Sequence, residues 1–155
     1  MKLNSLKLFD GFLFSDLKYL MAYSIPLTAI FGFYMGGYWL LTTPIYIFLI
    51  IPIVEHLLTF LKIDDLEKGR INKSTHWIFD LMLYINIPLV YGILIYALIF
   101  LKNKEIFSVE YIIGILAVGL VVVSNGINVA HELCHRSKKY EKFLGKFLLI
   151  PSLYM

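Results

Sequence analysis

The chain has 155 residues, 59% of them hydrophobic and only 16% charged, with a formal net charge of +3 and a mean hydropathy of +0.77. A soluble chain carries roughly 25% charged residues, so this composition excludes a water-soluble globular domain and points to an integral membrane protein. The small positive charge is explained by topology and implies no nucleic-acid partner. The single cysteine, Cys134, rules out an intrachain disulfide and fits a reducing compartment.

Residues 1–18 do not form a secretory signal, because Asp10, Asp16 and Lys18 interrupt them and no small-residue cleavage site comes after them. Leu6, Phe9, Leu13 and Leu17 predict instead a short amphipathic helix on the membrane surface. A first span is expected over about residues 19–41 and a second over about 42–61, with Glu55 and His56 the only charge candidates within them. Gly36-Gly37 late in the first and Pro44 at the start of the second predict a tight helical hairpin. The third and fourth spans are expected over about 77–101 and 109–130, around uncharged runs at 81–101 and 111–130. Each run reaches the roughly 20 residues that a bilayer core of about 30 Å requires. Pro26, Pro52 and Pro88 fall inside spans, where neighbouring helices can satisfy the freed carbonyls.

Four spans with a cytoplasmic N-terminus place all of the 14 basic residues except Lys102 and Lys104 on the inner side. That asymmetry favours the N-in arrangement in an inner membrane, with both termini cytoplasmic. It also puts the end of the fourth span at the cytoplasmic surface.

There the chain reads Gly126-Ile-Asn-Val-Ala-His-Glu-Leu-Cys-His-Arg136. His131 and His135 are four residues apart, so on an α-helix both imidazoles leave one face and can reach one metal ion. Imidazole suits zinc, copper, iron and nickel alike. Ser124, Asn128, His131 and His135 continue a polar stripe, with Asn125, Asn128 and Glu132 as an adjacent row. Asn128, one turn before His131, is placed to orient an imidazole, while Asn125 either joins that role or simply bonds a neighbouring helix. Two chemistries use His-Glu-x-x-His. In a membrane zinc metalloprotease Glu132 is the general base, but a third protein ligand is needed and only Glu141 lies beyond Arg136 as a donor. In a membrane iron oxygenase several histidine clusters share the metals.

The stretch resembles the first histidine box of the integral-membrane alkane monooxygenases, which reads approximately Gly-x-Asn-x-x-His-Glu-Leu-x-His-Lys. The likeness extends to Ile51-Pro-Ile-Val-Glu55 at the end of the second span, to Lys139-Tyr-Glu-Lys-Phe-Leu-Gly-Lys146 after the box, and to Pro151-Ser-Leu-Tyr154. It implies an all-α fold, in which four spans form the N-terminal part of a six-span histidine-box di-iron hydroxylase, and residues 1–155 an incomplete hydroxylase domain. That family has further boxes downstream, and residue 155 falls about where the second would begin, so His131 and His135 are the matched metal ligands. The resemblance further implies two irons, O₂ as co-substrate, and terminal hydroxylation of n-alkanes. Electrons would come through rubredoxin and its reductase, and the chain alone is expected to be inactive. Xylene monooxygenases and membrane fatty-acyl desaturases share the plan, and a nonenzymatic remnant that keeps the box is the alternative of another class.

Other candidates have plainer readings. His56 beside Glu55 either approaches the metal or sits at the interface, and His76 beside Trp77 fits the aromatic belt. Cys134 reads as a small packing residue. Glu132 is either a base beside the metal or an ion-pair partner of Arg136, its i+4 neighbour. Arg136, Lys138, Lys139, Lys142 and Lys146 suit anionic headgroups or an acidic rubredoxin.

Overall fold

Backbone amides in a bilayer find no water, so apolar runs of this length satisfy themselves as helices. A computed structural model describes residues 21–60 and 77–153, and among the described residues regular structure is helical throughout. The expected surface helix at 1–18, the start of the first span, the basic segment at 62–73, His76 and Tyr154 lie outside the described residues.

After a 3₁₀ turn at Met21–Tyr23 comes α1 (Ser24–Met35). A second rod joins a 3₁₀ turn (Gly37–Leu41), α2 (Thr42–Ile45), a π turn (Tyr46–Ile50) and α3 (Ile51–Phe60). Next come α4 (Trp77–Leu101), α5 (Val109–Val121), a π turn (Val122–Ile127), α6 (Asn128–His135) and α7 (Lys139–Leu149), closed by a 3₁₀ turn at Ile150–Ser152. Among the described residues three helical stretches are long and apolar enough to cross a membrane: Gly37–Leu57, Asp80–Leu101 and Val109–His135, with 21, 22 and 27 residues. Within the described residues α1 is a shorter apolar helix of 12 residues.

The hairpin forms, but its corner is earlier than the expected junction at 41/42. Gly36 has φ 69°, in the left-handed region where a side chain is strained. Its N–H donates to Gly32 O at 2.9 Å, which closes the helix end. Pro44 causes no break, because the first turn of α2 tolerates a residue without an N–H. Glu110 secures this corner by accepting from Gly37 N–H at 2.6 Å and from Lys104 Nζ at 2.7 Å. Ser108 Oγ caps α5 by accepting from Tyr111 N–H at 3.2 Å.

Packing relies on small residues. Ala29, Ala97, Ala117 and Ala130 are buried where helices meet, beside Phe33, Val90, Ile93 and Val121, so the backbones approach closely. Leu98, Ile99, Ile112 and Ile115 point outward, as expected of helices whose surroundings are as apolar as their core. α7 then folds back along α6 instead of leaving the bundle. The contact depends on Gly145, where a Cβ would lie 2.7 Å from Cys134 Sγ and 2.9 Å from Ala130 O. Tyr91 fixes the far end of α7: its ring stacks on Phe147 at 4.7 Å and its O–H donates to Phe147 O at 2.6 Å.

Candidate metal centre

α6 presents two different sides. Ala130 and Leu133 are fully buried, whereas Asn128, His131 and His135 are all exposed. The backbone is α-helical throughout the pair, so the two histidines occupy successive turns of one face, as their spacing predicts.

The longer polar stripe does not survive as one surface. The π turn at Val122–Ile127 interrupts the regular α-helical period between α5 and α6. Ser124 is committed locally, donating to Leu120 O at 2.7 Å and to Asn125 Oδ1 at 3.2 Å. Such back-bonding by serine distorts an α-helix. Asn125 turns inward and is buried, its amide donating to Ala22 O at 2.8 Å and Asn86 Oδ1 at 2.9 Å. Asn86 in turn donates to Met82 O at 2.8 Å. Asn125 is therefore a tie between helices. Asn125 thus faces the protein interior, whereas Asn128 and both histidines face outward.

The donor chemistry fits part of a metal site. Two imidazoles on one exposed helical face could supply two adjacent coordination positions to one ion. Among the described residues no group of three or more His, Cys, Asp or Glu side chains gathers to complete it. Cys134 lies against Gly145 of α7, consistent with packing. His56 is not gathered with the pair. It lines an apolar groove of about 520 Å³ with Pro52, Ile53, Leu57 and Phe60, and Glu55 beside it is exposed. Asn128 makes no side-chain hydrogen bond among the described residues, so the structure puts it on the histidine face without bonding it to an imidazole.

Immediately after the pair, the chain enters a polar cluster. Arg136 leaves the helix with extended backbone, φ −73° and ψ 159°. Its Nη1 donates to Asp80 of α4 in a short hydrogen bond and lies 3.4 Å from Glu141 Oε1 of α7. Its Nε lies 3.7 Å from Glu132 Oε1. Glu132, whose side chain is 59% exposed, is thus oriented by Arg136, the ion-pair alternative among the sequence readings. Glu141 is buried and also accepts from Tyr84 O–H at 2.6 Å, with Lys138 Nζ 3.9 Å away.

The hydrogen bond to Asp80 chiefly holds the Arg136 guanidinium above its ordinary range, against the opposing effect of burial. Lys138 is raised first by its hydrogen bond with Tyr140, with a further contribution from the nearby Glu141 carboxylate. Both groups therefore stay cationic at neutral pH. Sequence reasoning missed Asp80, Tyr84 and Asn86. The available signal was a lone carboxylate and a lone amide at the start of an otherwise apolar run, where polar groups seek partners.

No protein-family model, characterised protein or solved structure matches this chain.

Proposed function

We propose that His131 and His135 contribute two imidazoles to a non-haem di-iron centre of the alkane-monooxygenase type, which hydroxylates the terminal carbon of n-alkanes. The observation that carries this reading is the placement of the pair. The stretch Val109–His135 has 27 residues and rises about 40 Å, about 10 Å more than the hydrocarbon core. In this reading the excess lies at the C-terminal end, so that the last two turns, which carry both histidines on one exposed face, stand at the membrane surface. A lipophilic substrate dissolved in the bilayer meets a metal there, while water-borne reductant reaches it from the other side.

In this reading four spans belong to a six-span fold, with the N-terminus and the histidines cytoplasmic. The basic cluster at Arg136 and Lys138 lies at the opposite end of α4 from Lys102 and Lys104, which supports that orientation. When bound, iron supplies the activation of O₂ that lets one oxygen atom enter an unreactive C–H bond. The balance is alkane, O₂, two electrons and two protons giving alcohol and water. His131 and His135 would each supply one ring nitrogen, and Asn128 lies one turn before His131 on the same exposed face. The remaining donors come from residues beyond those described or from a second polypeptide. Exposed Lys139, Lys142 and Lys146 on α7 form the docking face for an acidic rubredoxin, which its reductase recharges.

The test is expression of the chain with its flanking genes in a host unable to oxidise alkanes, supplied with rubredoxin, its reductase, n-octane and O₂. Terminal alcohol is expected, and His131→Ala or His135→Ala should abolish it while the protein stays in the membrane. No product from the wild-type genes, or undiminished product from both substitutions, would contradict the assignment.

A further inference from the structure

We propose that Arg136, held by Asp80 and Glu141, is a positioning residue that fixes His135 for metal binding. The inference rests on the histidine pair being a metal site and names what holds that site in shape. His135 is the last residue of α6, and helix ends fray unless something outside the helix fixes them. The next residue supplies that fixture. Arg136 bridges three elements, reaching Asp80 on α4, Glu132 on α6 and Glu141 on α7.

The cluster is built for geometry more than for stability. Glu141 has a side chain only 2% exposed, and a buried carboxylate is unfavourable unless ion pairs and hydrogen bonds surround it. An apolar pair of similar volume would hold two helices at least as well. A charged group, however, has few acceptable positions, and a planar guanidinium between carboxylates has fewer still. Tyr84 adds direction by donating to Glu141 Oε1 at 2.6 Å, while Gly145 brings α7 against Cys134, next to His135. The end of the histidine helix is therefore fixed from two sides.

Copper(II) is the probe, because the nitrogen couplings in its paramagnetic resonance spectrum count the imidazoles bound. The full chain in lipid nanodiscs should bind copper(II) through two imidazoles, with His131→Ala giving the one-imidazole reference. Arg136→Gln and Asp80→Asn should weaken copper binding by roughly 10- to 100-fold and move the spectrum toward one imidazole, as expected when an orienting partner is lost. Tyr84→Phe removes one hydrogen bond without disturbing charge, and should give a smaller loss in the same direction. It keeps the test open if Arg136→Gln fails to insert. Unchanged affinity and an unchanged two-imidazole spectrum in folded Asp80→Asn and Tyr84→Phe would overturn the positioning role alone. A wild-type chain that never shows two imidazoles on copper would overturn the metal reading and the positioning role together.

Discussion

The two ends of the helical bundle are closed by different means. At one end a single carboxylate, Glu110, ties the Gly36–Gly37 corner to Lys104, and its side chain is 28% exposed. At the other end Arg136 gathers Asp80, Glu132 and Glu141 around itself, and Glu141 is buried. A turn that only reverses the chain needs little, and a partly exposed pair suffices. Burying charge beside the histidine helix costs desolvation energy without improving on apolar packing. The contrast locates the end of the molecule where position matters as well as closure.

The largest effect should come from breaking the charged end. Arg136→Ala leaves Glu141 buried with the Tyr84 hydrogen bond and Lys138 at 3.9 Å in place of its guanidinium partner, and should cost roughly 3–5 kcal/mol of unfolding free energy in mixed micelles. A loss as small as that at the opposite end would remove the contrast. Next in size is Gly145→Val, which forces a side chain against Cys134 Sγ and a backbone oxygen of Ala130. It should cost about 1–3 kcal/mol and increase hydrogen exchange in α7 ahead of α4. Asn125→Ala cuts the tie to Asn86 and Ala22 and should cost about 1–2 kcal/mol, within the range of interhelical hydrogen bonds in membranes. The smallest effect belongs to Glu110→Gln, at most about 1 kcal/mol. It should also weaken with rising salt in the wild type, whereas the Arg136 cluster should respond little.

Three of the four expected spans were legible because length and hydropathy alone decide whether a helix can cross a bilayer. The hairpin was legible for a similar reason, since Gly36-Gly37 is a strong local break. Its exact corner was not, because a rod apolar on every side has no amphipathic period to mark where one helix ends. The π turn at Val122–Ile127 was also hidden. Ser124, Asn125 and Gly126 are weak helix formers, but nothing local says that the backbone will widen there, so the spacing predicts a longer polar stripe than the structure has. His131 and His135 share a face because an i,i+4 relation is local and survives any tertiary arrangement. The partners of Arg136 were not legible beyond Glu132. Asp80 and Glu141 reach it only because α4 and α7 pack against α6, which one helical wheel cannot convey.

The central claim is that His131 and His135 hold iron, and metal content measures it most directly. The complete assembly should be purified from membranes grown with its flanking genes, and iron counted per chain in the wild type and in His131→Ala and His135→Ala. The account predicts two irons in the wild type and a clear loss of iron in each substitution, with all spans still inserted. Equal iron in all three preparations, or none in any, would contradict it.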